Sequence, residues 1–501
     1  MKKTIAITLL LLSATFHVAA QTSSGNFEQF RREKTEEFKK WRHDKQTEFE
    51  KYRQRLNDEF ADMMERSWKN YGSSPAEKRR ERPEPVKPLD ADNVKLTRPQ
   101  ELPVDVVTPP ERPIPDIPVT LPRITPGKTV TYPVNFTFYH TPCGINNFDT
   151  SALSFDNLSS KSLAAAWRRL SNHTDSETLL DDCLRLREEL NLCDYGYMKL
   201  IEAMAAKLYP RSADKQAFLT VFLLNQSGYD AKLANRGNRL CTLFHPSHQI
   251  YSRPFFTLNN KKYFVSGDLA ESTASLNVCD LDFRSGATPI RMVMNRIPAF
   301  APRAGRQPSY SSALWKMAPP VKVEVNPSVI EFMNDYPLLD WQLYGLSQLS
   351  APIKSSICQA LAVITEGMSE VEAVNTLLDY MQFGFNYMTD GDQFGYEKPF
   401  FFDENFYYPA NDCEDRAILF ARLVKSLLGL DVVYLNYPRH LATAVKFSSD
   451  IKGTYVLVDG EKYFVCDPTC LHGKAGTLAA VYSNSRPKVV KITERKSSAA
   501  K

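Results

Sequence analysis

The stretch that most constrains the fold runs from 411 to 468, where a strongly apolar helix precedes a series of short strands. Apolar side chains cover most of the helix surface over 417–428, which is typical of a central, buried helix. Strand-like runs follow at 432–447, and an Asp-Gly turn signal at 459–460 precedes a return strand at 462–466. This order predicts an α+β domain in which the helix packs on an antiparallel sheet.

Cys413 falls at or beside the first residue of that helix, with Asn411 or Asp412 as the N-cap. A thiol at this position faces backbone N–H groups without helical partners and the positive end of the helix dipole, and both stabilise a thiolate. Taken alone, Cys413 is better explained as an ordinary buried cysteine.

Two further residues follow Cys413 in an order that suits thiol chemistry. His440 opens a strand on which small residues share its face, and Asp467 ends the return strand. A thiol enzyme needs a thiolate nucleophile, an imidazole that takes and returns the proton, and a carboxylate that orients the imidazole. The sequence therefore predicts a catalytic triad of Cys413, His440 and Asp467.

Three segments resemble the motifs of the transglutaminase-like superfamily: DCEDRA at 412–417, HLATAV at 440–445 and CDPT at 466–469. The resemblance covers roughly 369–480 and implies a papain-like core, with the cysteine on a helix and the histidine and aspartate on adjacent strands. The family contains cross-linking enzymes, peptidases, amidases and inactive members, so the resemblance does not select one reaction.

The same resemblance implies the roles of the triad: Cys413 is the nucleophile, His440 the general base and acid, and Asp467 the orienting group. The backbone N–H of Cys413 is a natural oxyanion donor. Gln393 is a candidate side-chain donor, with a structural role in its loop as the alternative. No pattern indicates a cofactor, a phosphate-binding loop or a metal site.

An internal repeat predicts a second, degenerate copy of this domain. The string KYFV at 262–265 recurs at 462–465. With that alignment Cys413, His440 and Asp467 meet residues that cannot do their chemistry: Ala213, Leu240 and Gly267. The alternative is coincidence of a short string.

The N-terminus has the pattern of a cleaved signal peptide, with Lys2-Lys3, an apolar run and a small-residue site that ends at Ala20. We expect a periplasmic or secreted protein without a transmembrane segment after cleavage. The net charge of +4 is too weak to indicate nucleic-acid binding. Nine cysteines, an odd number, leave at least one thiol unpaired within a monomer.

From 26 to 71 the chain predicts one long helix with an eleven-residue aromatic repeat. Eleven residues are almost three helical turns, so the repeated positions form one stripe on a charged helix. The stripe consists of Phe27, Phe30, Phe38, Trp41, Phe49, Tyr52, Phe60, Met63 and Tyr71. It indicates docking to a protein partner or self-association, with packing on its own domain as the alternative. A membrane surface is less favoured, because twelve Lys/Arg are offset by eleven Asp/Glu over this range.

Thirteen of the 32 prolines fall in 73–127, which predicts an extended linker, although part of it could dock as a strand. The predicted domains are a signal peptide (1–20), the long helix (21–72), the Pro-rich linker (73–127), a degenerate transglutaminase-like domain with a β-rich connector (128–330) and the catalytic domain (331–501).

We predict an exported thiol enzyme that cleaves amide bonds of a protein or peptide through a Cys413 thioester, as a peptidase or amidase. A protein-cross-linking transglutaminase remains an alternative, because water and amine acceptors differ only in details of the pocket. A non-catalytic scaffold of the cell envelope is the third hypothesis.

Overall fold

The computed structural model describes residues 24–78, 87–107, 132–267, 273–284, 287–303, 309–315 and 320–492. The predicted signal peptide and much of the Pro-rich region lie outside these residues. The chain divides into two compact units, with the boundary after Met63.

The described helices are numbered in chain order. They are α1 Ser24–Met64, α2 Ser160–Ser171, α3 Thr174–Glu189, α4 Asp194–Leu208, α5 Ala213–Gln226, α6 Pro327–Asn334, α7 Trp341–Gly345, α8 Ala351–Ile353, α9 Gln359–Thr365, α10 Glu370–Phe383, α11 Asp390–Gln393 and α12 Cys413–Leu428. A π-helical turn, Lys354–Cys358, joins α8 to α9, and short 3₁₀ turns occur at Thr150–Ala152, Ser312–Trp315, Phe402–Phe406 and Ala480–Tyr482.

The described strands are short, as is usual for antiparallel sheets. They are β1 Trp68–Tyr71, β2 Glu101–Leu102, β3 Asp105–Val107, β4 Val134–Phe138, β5 Thr141–Ile145, β6 Ala231–Arg236, β7 Arg239–Phe244, β8 Phe256–Leu258, β9 Lys261–Val265, β10 Leu276–Cys279, β11 Ser309–Ser311, β12 Lys322–Glu324, β13 Asn386–Tyr387, β14 Ala410–Asn411, β15 Val432–Tyr437, β16 His440–Val445, β17 Tyr455–Val458, β18 Glu461–Cys466 and β19 Lys488–Lys491. The mixed α+β class predicted from the sequence is confirmed.

The long helix is shorter than predicted. α1 ends at Met64, and Trp68–Tyr71 form β1, which pairs antiparallel with β10. Trp and Tyr are strand-favouring residues, and pairing with a sheet edge overrides the helical repeat here. Tyr71 therefore leaves the aromatic stripe, and the predicted helix boundary of 72 is wrong.

Two large sheets share one strand order. The first runs β1-β10-β6-β7-β9-β8, and the second contains β3-β19-β15-β16-β18-β17, with β2 as an extra edge strand. Each hairpin of β6–β7 and β15–β16 follows a long helix, α5 and α12 respectively.

The hairpin register corrects one detail of the predicted alignment. Tyr437 pairs with His440 across the hairpin, and Arg236 pairs with Arg239 at the same position of the first sheet. The counterpart of His440 is therefore Arg239 and not Leu240. The one-residue shift arises before β6, because α5 is two residues shorter than α12 and the connection that follows it is one residue longer.

The Pro-rich region is not simply a linker, because its described part supplies two strands to the second sheet. β2 pairs with β17 at one edge, and β3 pairs with β19 at the other, both in parallel. Only residues 103–104 separate β2 from β3, so the segment nearly closes the sheet into a barrel. The expectation that part of the segment docks as a strand is confirmed.

The helix that carries Cys413 is buried, as its apolar surface predicts. α12 packs against β15 and β16 on one side and against α7 and α10 on the other. Asp412 is its N-cap residue, and Gly429 ends it in the left-handed conformation, with φ of 72°. Inside the sheet, small and branched residues of β15, β16, β17 and β19 form a separate apolar core.

No helix in the described ranges combines the length and the hydropathy needed to cross a membrane.

Candidate active site

Cys413 is the first residue of α12 and is 1% exposed. The backbone N–H groups of a helix's first turn have no partner inside the helix, and they carry the positive end of its dipole. The helix start is fixed locally, because the Asp412 N–H donates to Oδ2 of Asp415 at 3.3 Å. The thiol therefore lies where an anion is stabilised.

His440 and Asp467 form a hydrogen bond, with 2.7 Å between Nε2 and Oδ2. Pairing of β16 with β18, in which Thr443 is opposite Cys466, brings the end of β18 beside the start of β16. The other carboxylate oxygen of Asp467 accepts from the N–H of Thr469 at 2.9 Å, which fixes the carboxylate. The bond at Nε2 leaves Nδ1 as the nitrogen available to a thiol.

The Cys413 thiol lies beside the His440 imidazole. Burial alone would lower the pKa of His440, but the charge of Asp467 and hydrogen bonds to Asp467 and Cys413 raise it to about 10. The imidazole is therefore protonated at neutral pH. The structure brings together the three residues predicted for the triad.

The thiol also has a second partner, Glu414, the next residue in the chain. Sγ of Cys413 lies 3.1 Å from Oε2 of Glu414, in the geometry of an S–H donor. Glu414 is 1% exposed, and its pKa is raised well above the usual range by burial and by the charges of Asp412 and Cys413. Glu414 thus competes with His440 for the thiol proton.

Several buried carboxyl groups surround the start of α12. Burial and repulsion from Asp412 raise the pKa of Asp390 to about 8, and burial raises that of Asp412 to about 6. Protons shared between these carboxyl groups reduce their mutual repulsion.

A bound cation would also reduce the repulsion between these buried carboxyl groups. Ligand atoms of Asp390, Glu397 and Glu414 lie within 4.8 Å of one another, as do those of Asp412, Cys413 and Glu414. Carboxylate oxygens suit Mg²⁺ or Ca²⁺. No motif pointed to these groups, because Asp390 begins α11 and Glu397 follows that helix, both before the motif that carries Cys413.

Tyrosine rings cover one face of His440. Tyr482 is stacked on the imidazole at 5.3 Å between ring centroids, and Tyr437 lies at 6.3 Å. Burial, together with the charges of Asp467 and Cys413, raises the pKa of Tyr482 above its usual value. Tyr482 therefore remains a neutral phenol beside the triad.

The Pro-rich segment covers the same region. Lys87 and Leu89 line a cavity of about 10 Å³ together with His440, Asp467 and Tyr482. That volume is room for about one water molecule. Two backbone hydrogen bonds hold the segment to the loop after Asp467, Leu471 N to Leu89 O at 2.7 Å and Ala91 N to Leu471 O at 2.8 Å.

Gln393 is the predicted residue that the structure does not join to the triad. It is the last residue of α11, and its Oε1 has no hydrogen-bond partner among the described residues. The described contacts include no hydrogen bond between its side chain and Cys413. The α12 amides therefore remain the candidate oxyanion donors that lie next to Cys413.

A much larger cavity, of about 530 Å³, lies away from the triad between the β-rich connector and α8. Its wall includes Asp403, which is 3% exposed and whose pKa burial raises to about 6. His440 and Asp467 line the smaller cavity, so the chemistry of the lining residues, and not the volume, identifies the candidate site.

All nine cysteines are free thiols and buried, so Cys413 is distinguished by its neighbours and not by exposure. The residues that sequence reasoning missed are Glu414, Tyr482, Leu89 and Asp390. Glu414 lay within the quoted motif and could have been found as an acid next to the nucleophile. The others are brought in by tertiary contacts that no local pattern signals.

Comparisons of the chain with protein-family models, curated proteins and solved structures found no match.

Proposed function

We propose that this chain is a thiol enzyme of the transglutaminase-like superfamily, which cleaves amide bonds through a thioester on Cys413. The observation that carries the proposal is the 2.7 Å bond between His440 and Asp467, with the Cys413 thiol beside the same imidazole. That combination is what thiol catalysis requires.

In the proposed first half-reaction the thiolate of Cys413 attacks the carbonyl carbon of the substrate amide. The N–H groups of the first turn of α12 stabilise the oxyanion. His440 then donates its proton to the amine nitrogen, the C–N bond breaks, and a thioester remains on Sγ. Asp467 keeps the imidazolium oriented throughout.

In the second half-reaction His440 takes a proton from water, which attacks the thioester carbon. The C–S bond breaks, the carboxylic acid leaves, and the thiolate of Cys413 and the protonated His440 are restored. An amine in place of water gives a cross-link with the same residues, so the acceptor decides between hydrolase and transglutaminase. We propose hydrolysis of a protein or peptide amide as the main reaction.

The shared strand order supports the proposal that the first sheet is a degenerate copy of the second. Its counterparts of the triad are Ala213 at the start of α5, Arg239 at the hairpin and Gly267 after β9. These three residues therefore cannot supply a nucleophile, a base and an orienting acid. We propose that this copy supports the catalytic domain.

The second candidate is a non-catalytic envelope protein, and the 1% exposure of Cys413 favours it. In that case the buried polar groups serve stability alone. Export to the periplasm or beyond is proposed for both candidates, from the N-terminal signal pattern.

A burst assay with p-nitrophenyl acetate tests the enzyme proposal. We expect one equivalent of p-nitrophenolate per chain in a rapid phase, followed by slow turnover, because acylation precedes deacylation. Cys413→Ala should abolish the burst, whereas Cys358→Ala, which alters another buried thiol, should keep it. A burst that survives Cys413→Ala would contradict the proposal.

Added glycine methyl ester then separates the acceptors. Acetyl transfer to this amine, in preference to water, would favour cross-linking over hydrolysis.

A further inference from the structure

Helix α1 presents an exposed row of large apolar side chains. Four of them, Phe38, Trp41, Phe49 and Tyr52, are each about half exposed, at 58%, 49%, 58% and 52%. They follow the eleven-residue repeat, so they lie on one side of the helix. Isolated exposed apolar residues are ordinary, but a continuous row of aromatic residues indicates an interface.

The two sides of this row carry opposite charges. At 100° per residue, the residue before each repeated Phe lies on one flank, and the residue after the second aromatic lies on the other. The acidic flank contains Glu33, Glu37, Asp44, Glu48 and Glu59, and one basic residue, Arg55, lies among them. The basic flank consists of Arg31, Arg42 and Arg53.

This arrangement distinguishes between the ways in which two such helices can pair. In a parallel pair of helices the acidic flank of one helix faces the basic flank of the other, so acidic residues face arginines. In an antiparallel pair like flanks face each other, so glutamates would oppose glutamates. We propose that α1 pairs with α1 of a second copy of this chain, in parallel, through the aromatic row.

The repeat length fits that arrangement. An eleven-residue repeat has about 3.67 residues per turn, so the row drifts slowly around the helix and pairs through a shallow right-handed supercoil. In register, Glu37 of one copy lies near Arg42 of the other, and Glu48 lies near Arg53. These residues repeat every eleven positions, so the same contact recurs along the pair.

Two lysines limit the strength of the pair. Lys34 and Lys45 lie on the aromatic row, and each forms a salt bridge with the glutamate three residues later, Glu37 or Glu48, at 2.7 Å. Their stems can cover the aromatic rings while the ammonium groups reach the acidic flank. A charged residue within the aromatic row makes the pair weaker than a pair formed through a fully apolar row.

Sedimentation equilibrium of the full chain tests the proposal. Measurements up to about 100 µM would detect even a dissociation constant of about 10 µM. We expect a dimer. Glu37→Arg with Glu48→Arg should weaken it by roughly tenfold or more, and so should Arg42→Glu with Arg53→Glu, because each change sets like charges against each other.

An equimolar mixture of these two charge-reversed proteins should recover at least the wild-type affinity as a heterodimer. The double substitution Lys34→Leu and Lys45→Leu should tighten self-association, because it removes two charges from the aromatic row. The substitutions lie on the exposed helix, and circular dichroism confirms that each variant folds.

Three outcomes would overturn the proposal. The first is a wild-type chain that stays monomeric up to about 100 µM, whether or not it binds vesicles of anionic lipid. The second is self-association that the charge reversals leave unchanged. The third is tighter association of the Glu37→Arg, Glu48→Arg variant with the wild-type chain than of either protein with itself, as an antiparallel pair requires.

Discussion

Tyr482 lies parallel to the imidazole of His440, with 5.3 Å between ring centroids and 16° between ring planes. A protonated imidazole against an aromatic face is stabilised by the ring's electrons. Tyr482→Ala should therefore lower the pKa of His440, by up to about one pH unit. An NMR titration of the His440 ring measures this, and Tyr482→Phe, which keeps the aromatic face, should leave the pKa nearly unchanged. Equal effects of both substitutions would contradict a role for the ring.

Asp467→Asn tests the charge on the other side of His440. The variant keeps a hydrogen-bond acceptor but removes the negative charge that raises the pKa of His440 to about 10. We expect the rate of the p-nitrophenyl acetate burst to fall by roughly 100-fold or more. The pH above which the burst rate declines should also move to a lower value, because His440 loses its proton earlier. Asp450→Asn, at an exposed aspartate, is the matched control. An unchanged pH profile would rule out Asp467 as the orienting group.

His440 also makes stability depend on pH. Its pKa is about 6.5 in the unfolded chain and about 10 in the folded protein. The folded state therefore holds this proton more tightly, and the resulting stability is complete below pH 6.5 and lost as the pH rises to 10. Over that window the free energy of unfolding should fall by up to about 1.4 kcal/mol per pH unit from this group. Urea denaturation of wild type and His440→Gln measures the difference, which should shrink steadily between these pH values.

Asp403, a buried carboxyl group away from the triad, also makes the stability of the fold depend on pH. Burial raises the pKa of Asp403 from 3.8 to about 6, so its contribution to stability is present below pH 3.8 and lost as the pH rises through 6. Asp403→Asn mimics the protonated form and should gain stability relative to wild type between pH 4 and 7. Asp156→Asn, at an exposed position, should show no such trend. A constant difference across this range would contradict the assignment.

The Pro-rich segment should control access to the thiol. Leu89 lines the cavity at the triad, and its loss removes apolar contact that holds the segment down. We expect Leu89→Ala to increase the rate of Cys413 alkylation roughly tenfold, because the covered state opens more often. Leu96→Ala, on an exposed part of the same segment, should have no effect. Equal rates in all three proteins would show that the segment is not the barrier.

Local signals were sufficient to predict the helix and hairpin that carry the triad. The N-cap before Cys413, the glycine at 429 and the Asp-Gly turn at 459–460 all act within a few residues, and the structure has each of them. The turn residues Asp459 and Gly460 have positive φ, as a tight hairpin requires.

Contacts between distant parts of the chain could not be predicted in the same way. The helical repeat extended past Met64, but pairing with β10 converted Trp68–Tyr71 to a strand. Leu89 precedes Cys413 by hundreds of residues, and only the closure of the second sheet brings it to the triad. The carboxyl cluster likewise depends on the packing of α11 against the start of α12.

The most direct test of the account is the pH dependence of Cys413 alkylation by iodoacetamide, located by peptide mass spectrometry, in wild type and His440→Gln. We expect wild-type alkylation to persist at pH 6, well below the value of about 8.5 for a free thiol, because the imidazolium of His440 stabilises a thiolate. His440→Gln should react slowly at that pH and recover only as the pH rises. A wild-type profile that follows the free thiol and does not change in His440→Gln would contradict the proposed thiol enzyme.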